Sequence, residues 1–377
     1  TIRALSVSEF DSVMHGIEED YPPEVWYALM NLVDSHDTNR VLIPLDQDGD
    51  PTDADYSDGK ARLRVLALIQ MTMPGAPTVY YGDEVGLVGF GEPAGGGVYY
   101  SDPYNRQPYP WADEAGYAGL PAWRKADGSL YTYYATLTAA RHAHQALRTG
   151  SFDTLLTDDT NQVYAYGRKD LGAADVAVVI VNRDDTPHGV VVNVAGYLGE
   201  GVVLEDALDP GAASYTVSGG QLSVPDVGAM SGALLLYSSG DVTPPSAPAN
   251  LVAVESSGSV ALSWDTVVDA DSYNVYRSYV SGGGYSLLAS GVAVATYDDL
   301  TVQNGTWYYY VVTAVDSAGN ESAESNEAAA LPHVPIGWAG NLDPASIVHT
   351  IGTTPTPPIS AQVWIDGVTN AVGQGEG

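Results

Sequence analysis

The strongest constraint on the fold is a succession of strand, helix, strand and helix with short connections in the first 150 residues. "NLVDS" reads as a short buried strand, and "GKARLRVLALIQMTM" as an amphipathic helix stopped by Pro74 and Gly75. "APTVYYG" reads as a second short strand ended by Gly82, and "GSLYTYYATLTAARHAHQALRTG" as a long helix with Gly150 past its end. This is the grammar of parallel α/β units. Parallel strands are buried on both faces, and two units are too few to close a barrel. Upstream, "SEFDSVMHGIEEDY" has helical periodicity, and "PPEVWYALM" opens on prolines suited to a first helical turn. Residues 1–150 are therefore read as helices around two parallel α/β units.

From 151 to 239 the pattern changes to short β-rich runs, "VYAYGR", "VAVVIVNR", "GVVVNV", "GVVLEDAL", "YTVSG", "QLSVP" and "GALLLYS", separated by Gly, Asp and Asn turns. That spacing predicts an antiparallel sandwich or barrel. "GDVTPPSAPAN" at 240–250 is a Pro-rich linker. A second all-β module follows at 251–332, with strand-like runs at seven-strand spacing. Trp264, Tyr273 and the run from Tyr308 to Tyr310 are expected to fill its inter-sheet core, and Trp307 to pack with them. With "LSWD", "YNVYRS" and "VTAVDSAGNES" this segment resembles a fibronectin type III domain. Residues 333–377 read as the start of a further, truncated β module.

Composition narrows the partners. The chain has 377 residues, enough for two or three domains, and carries 47 Asp plus Glu against 14 Lys plus Arg, a net charge of −33. Such an acidic chain repels nucleic acid and anionic membranes, so neutral molecules or cations are the expected partners. The acidity also suits a secreted or salt-adapted protein that must stay soluble. There is no Cys, which excludes disulfides and thiolate metal sites. No apolar run approaches the ~20 residues that span a bilayer, so membrane insertion is not expected. "TIRALSVSEF" lacks the pattern of a signal peptide and residue 1 is not Met; the chain reads as a piece of a longer polypeptide.

The candidate chemistry begins at "LVDSHDTNR", residues 32–40. In parallel α/β units functional groups sit where strands end at their C-terminal face, which is where His36 and Asp37 fall. Taken alone, the pair reads more readily as a turn cap and a satisfied rim residue. Its context is "MTMPGAPTVYYGDEVGL" some 40 residues later, then "SDPYNRQPYPW" at 101–111. These three motifs, in this order and spacing, resemble the α-amylase family of glycoside hydrolases, closest to its neopullulanase, cyclomaltodextrinase and amylopullulanase branch. The resemblance extends over residues 1 to about 239.

That resemblance implies that residues 1–150 are the C-terminal part of a (β/α)8 barrel, about its last quarter, and it implies roles for particular residues. Asp37 matches the catalytic carboxylate that stabilises the oxocarbenium-like transition state, and His36 the residue that hydrogen-bonds hydroxyls of the sugar at the cleavage point. Asp102 and Arg106 match an Asp and an Arg that bind sugar further toward the non-reducing end. Asp83 and Glu84 in "YYGDE" are expected to hold loops, with Tyr80 and Tyr81 packing at the rim. The physical logic stands beside the resemblance: developing positive charge at an anomeric carbon favours a fixed anion, and hydroxyl hydrogen bonds that tighten in the transition state add to it.

Retaining glycosidases also need a nucleophilic and an acid/base carboxylate roughly 5 Å apart. In the family these lie on earlier strands, the nucleophile in a Gly-x-Arg-x-Asp context, and residues 1–30 contain neither context. Glu9, Asp11, Glu18, Glu19 and Asp20 read as solvated surface. The expectation is thus part of a secreted or cell-surface α-glucan hydrolase, retaining, cleaving α-1,4 and in some cases α-1,6 bonds of starch- or pullulan-like polymers. The upstream part of the same polypeptide completes the site, and this chain is inactive by itself. The alternative is a non-catalytic carbohydrate-binding, scaffold or adhesion protein, in which Trp338 and Trp364 stack on sugar rings.

Other chemistries find little support. There is no Gly-rich phosphate loop, no Gly-x-Ser-x-Gly elbow, and His142 and His144 sit on different faces of a helix. The weak metal candidate is the acidic run "DQDGDPTDAD", where Asp46, Asp48 and Asp50, with Asp53 and Asp55, offer hard oxygens at alternate positions. Pro51 stands where an EF-hand loop wants Gly, so a solvated loop is the preferred reading. No cofactor is expected in this chain, and Ca²⁺ is left to the full parent.

Overall fold

In a computed structural model, residues 5–46, 56–89, 103–113, 117–120, 125–170, 172, 174–209 and 211–333 are described, together with the backbone of two strands at 336–343 and 360–365. They form two compact units, Thr1–Thr243 and Pro244–Gly377, divided within the Pro-rich stretch.

The first unit opens with helix α1, Val7–Asp20. Its start is fixed by a reciprocal capping box: Ser6 Oγ accepts from the Glu9 N–H at 3.2 Å and the Glu9 carboxylate from the Ser6 N–H at 3.0 Å. Helix α2, Pro23–Trp26, strand β1, Met30–Leu32, helix α3, Leu42–Leu45, helix α4, Ser57–Thr72, and strand β2, Ala76–Thr78, follow. β1 and β2 pair in parallel, Met30 opposite Ala76. Gln70 of α4 stitches them, its amide donating to the Asn31 and Thr78 carbonyls at 2.9 Å each.

Two expectations are corrected here. The second half of α4 is not amphipathic: Val65, Ala67, Leu68, Met71 and Thr72 are buried nearly all round, because the helix is wedged between the C-terminal helices and a β-sheet. Conversely, β1 is not a buried strand. Met30 is 63% exposed and Leu32 also faces outward, because β1 and β2 form a sheet of only two strands among the described residues.

The long helix expected up to Gly150 is two: α5, Gly128–Ala143, and α6, Ala146–Thr149. His144 leaves the helical conformation between them. Its Nδ1 lies 2.9 Å from Asp175 Oδ1, while Asp175 Oδ2 accepts the Ala146 N–H at 3.0 Å, so one carboxylate holds the break and caps the new helix.

Eight strands follow: β3 Asp153–Asp158, β4 Val163–Asp170, β5 Asp175–Asn182, β6 His188–Asn193, β7 Val203–Asp206, β8 Ser214–Thr216, β9 Gln221–Val227 and β10 Ser231–Ser239. Every pairing among them is antiparallel. Six make one sheet in the order β3-β4-β5-β10-β7-β8, and β6 pairs with β9. β3 carries no alternating pattern and was not expected from the sequence. One sheet face closes a core of its own, with Val178, Ile180, Val192 and Leu222. The other face, with Tyr164, Tyr166, Val179 and Leu234, belongs to the same core as Leu63, Leu68 and Leu137 of the helices. The chain before and after residue 150 therefore shares one interior. Arg168 of β4 crosses it fully buried, donating to the carbonyls of Ser151 at 2.7 Å, Gly150 at 3.0 Å, Leu147 at 3.3 Å and Thr72.

In the second unit, β11 Val252–Ser256, β12 Ser259–Ser263 and β15 Thr296–Asp299 form one sheet. β14 Ser286–Val292, β13 Ser272–Ser278, β16 Tyr308–Val315 and β17 Ala328–Ala330 form the other. Trp264, Tyr273, Tyr308 and Tyr310 fill the space between, with Trp264 edge-on to Tyr273 at 5.3 Å. Tyr309 alternates out of this core, as a strand requires. Trp307, expected inside, is 51% exposed and stacks on Tyr309 at 6.2 Å. β18 Ile336–Asp343 and β19 Ser360–Ile365 pair antiparallel, with Trp338 opposite Trp364 in register.

The shared core makes a direct prediction. Residues 1–150 expressed alone should show no cooperative thermal transition, whereas 244–332 should melt cooperatively. Arg168→Met should destabilise the first unit by about 3 kcal/mol, because several buried carbonyls lose a charged donor. Thermal melts of the two segments and urea titration of Arg168→Met, each followed by near-ultraviolet dichroism, check these.

Candidate active site

The site is a corner made where the chain leaves β1. Asp34 is buried at its base, and its Oδ2 accepts the Val41 N–H at 2.8 Å, closing residues 34–41 into a loop. His36 and Asp37 stand at the tip with exposed side chains, 70% exposed for Asp37. His36 Nε2 lies 3.2 Å from Asp37 Oδ2, and Arg106 Nη2 lies 3.2 Å from Asp37 Oδ1. The tip thus presents one carboxylate between an imidazole and a guanidinium, open to solvent.

The next segment holds this tip from the side. Tyr104–Arg106 is a single 3₁₀ turn that places Asn105 inside and Arg106 outside. Asn105 Nδ2 donates to the His36 carbonyl at 2.7 Å and the Thr38 carbonyl at 3.2 Å, and Arg106 Nε to the His36 carbonyl at 3.3 Å. Both carbonyls flanking Asp37 are therefore clamped.

Below the tip lies the residue that anchors the corner, Arg40. It is fully buried, and its guanidinium lies 4.4 Å from the ring centroid of Tyr80 and 4.5 Å from that of Tyr81. It donates to the Tyr81 carbonyl and lies 3.6 Å from the buried Asp83 carboxyl. Two glycines make room for it. A side chain at Gly89 would meet Arg40 Cγ at 2.9 Å, and one at Gly82, which has φ +93°, would come within 3.0 Å of Arg40 Nη1. Tyr80 and Tyr81 then reach out to the carbonyls of Asn105 and Gln107, at 3.3 and 2.8 Å. Glu84 accepts the Gly82 N–H at 2.8 Å, and burial, helped by Glu84, pushes the Tyr109 hydroxyl up to about 12.

Of the residues singled out in the sequence, His36, Asp37 and Arg106 come together at one corner. Asp102, Asp48 and Asp50 lie outside the described residues, as do Asp53 and Asp55. Asp46 ends α3. Among the described residues no group of three or more His, Asp or Glu could hold a metal ion. Asp34, Arg40 and Asn105 escaped the sequence reading. Arg40 left one signal: it is one of only 14 cations in the chain and precedes the apolar run "VLIPL".

The site thus joins a parallel βα pair to an exposed carboxylate flanked by His and Arg at its strand end, and an antiparallel β domain follows it in the chain. Residues 2–150 match the α-amylase catalytic domain. Over 386 aligned residues the chain is 37% identical to an amylopullulanase of Thermoanaerobacterium thermosulfurigenes, covering 98% of this chain and 19% of that protein. It is 35% identical over 188 residues to a cyclomaltodextrinase of a Bacillus species, covering 50% of this chain and 28% of that protein. A solved Fn3-like protein from Clostridium thermocellum is 40% identical, covering 25% of this chain and 99% of that one, with a TM-score of 0.23. Residues 2–150 belong to the α-amylase family of glycoside hydrolases, and the chain is similar to the neopullulanase/amylopullulanase-like branch of that family. It spans about a fifth of the length of the amylopullulanase it matches.

Arg40 acts through planarity as well as charge. Arg40→Lys should therefore destabilise the first unit by about 2 kcal/mol, the scale of a desolvated cation–π contact. Denaturant midpoints of the two proteins at equal m-value check this.

Proposed function

We propose that this chain supplies one wall of the active site of a retaining α-glucan hydrolase acting on starch- or pullulan-like polymers. Asp37 is the carboxylate that stabilises positive charge developing at the anomeric carbon, and His36 binds hydroxyls of the same sugar. Arg106 orients Asp37 and, with Asp102, lines the side toward the non-reducing end. The nucleophile and the acid/base come from another part of the same polypeptide. The reading carries an extracellular location, secreted or at the cell surface.

The observation that carries it is Asp37 itself: a solvent-open carboxylate, bracketed by His36 and Arg106 at 3.2 Å, on a tip whose backbone is clamped by Asn105. A carboxylate meant only to cap a turn needs no such support. A fixed anion costs no reorganisation when charge develops beside it, which is how such a group lowers a barrier. The relatives named amylopullulanase and cyclomaltodextrinase support the substrate class.

A second reading, glucan binding by the fibronectin-like unit, is favoured by the exposed Trp307 stacked on Tyr309, since an aromatic face suits the apolar face of a pyranose. Amylose retention by the isolated unit, lost in Trp307→Ala, would support it.

In the hydrolase that carries this chain, Asp37→Asn should lower kcat on pullulan or starch by roughly 100-fold or more with little change in KM. The chain by itself should release no reducing sugar. Unchanged kcat in Asp37→Asn would remove Asp37 from the chemistry.

A further inference from the structure

The structure leaves one group of buried atoms unexplained by the site above. Asp34 and Asp83 are both buried and face each other, with Arg40 as their cation. Arg40 makes no hydrogen bond to either carboxyl: its Nη1 donates to the Tyr81 carbonyl and lies 3.6 Å from Asp83, while its Nε and Nη2 are buried without a hydrogen-bond partner. If both carboxyls were ionised, Asp34 Oδ1 and both oxygens of Asp83 would be buried without a hydrogen-bond donor. Two negative charges would also share one positive charge in a water-excluded place. Neither condition is tolerable in a folded interior.

We propose that Asp34 and Asp83 hold one proton between them and, with Arg40, form the joint that positions the His36–Asp37 tip against the turn after β2. One proton relieves both problems. Shared between one oxygen of each carboxyl it serves two of the three, while Asp83 Oδ1 lies 3.6 Å from Arg40 Nη1, and it leaves one negative charge against the one guanidinium. The two carboxyls then come from the two ends that must be aligned: Asp34 closes the loop bearing His36 and Asp37, while Asp83 sits in the turn after Tyr81. Asp34 and Asp83 are positioning residues, both buried while the His36 and Asp37 side chains are exposed. The inference rests on the proposed glycosidase role of Asp37.

The electrostatics agree. Burial raises both carboxyls, and the neighbouring Asp34 helps push Asp83 up to about 9. The other groups facing the pair are Arg40, Glu84 in the same turn and Tyr134 of α5. Since folding favours the protonated pair, its stabilisation is fully present below the ordinary carboxylate range. It diminishes as pH rises and is gone above about 9. Interacting carboxyls of this kind titrate as a unit.

The test uses the hydrolase that carries this chain, with kcat and KM measured on pullulan from neutral to alkaline pH. An amide can stand where the protonated carboxyl stands, so D83N should fold, keep kcat near that of the parent at pH 7, and extend the alkaline limb upward. D83A, which removes the partner, should lower kcat by about 100-fold through misplacement of Asp37, with KM little changed. An alkaline limb unmoved in D83N, an unfolded D83N, or a D83A with parental kcat would each overturn the proposal. Asp37→Asn serves as the control: if it leaves kcat intact, the glycosidase reading fails instead.

Discussion

The corner depends on burying one guanidinium. Arg40 sits where the loop after β1 meets the turn after β2, and its neighbours come from both. Asp34 belongs to the loop, and Tyr80, Tyr81 and Asp83 to the turn. Desolvating a cation is expensive, so the surrounding geometry must be specific. That specificity is transmitted outward. Tyr80 and Tyr81 reach from the rings around Arg40 to the carbonyls of Asn105 and Gln107, and Asn105 holds the carbonyls on either side of Asp37. A rigid buried cation thus supports an exposed anion.

The same device recurs in a chain that has few cations to use. Arg168 gathers carbonyls from the helix α4 end, α6 and the turn before β3. Arg141 binds the carbonyls of Met71, Met73, Leu147 and Gly75, beside β2. In the second unit Arg277 pairs with the buried Asp299 at 2.7 Å. In a chain with 47 acidic residues against 14 basic ones, Arg141 and Arg168 crosslink backbone that would otherwise carry unsatisfied carbonyls, and Arg277 holds a buried carboxylate. Planar, multi-donor and always charged, Arg suits this task as Lys does not.

Much of this was legible in the sequence, and the failures have physical causes. The two parallel strands, the helix stop at Pro74 and seven of the eight strands of the following β domain were readable, because turn residues and apolar periodicity are local signals. β3 was not, since "DTLLTD" alternates weakly and its pairing with β4 is a tertiary fact. The break at His144 depends on Asp175, 31 residues away. The burial of α4 and the exposure of β1 depend on what covers each face, which periodicity does not report. His36, Asp37 and Arg106 were singled out because their motifs carry a known pattern, and the structure brings the three side chains together at one corner. Arg40, Asp34 and Asn105 have no motif of their own; only their convergence makes them matter.

The central claim is that Asp37 belongs to a retaining α-glucan site, and the stereochemistry of the first turnover tests it most directly. Proton magnetic resonance of the newly formed anomeric centre, recorded on pullulan or starch with the hydrolase that carries this chain before mutarotation sets in, reads the outcome. The account predicts the α-anomer as the first product. A β-anomer would show that water attacks the sugar directly, and would contradict it.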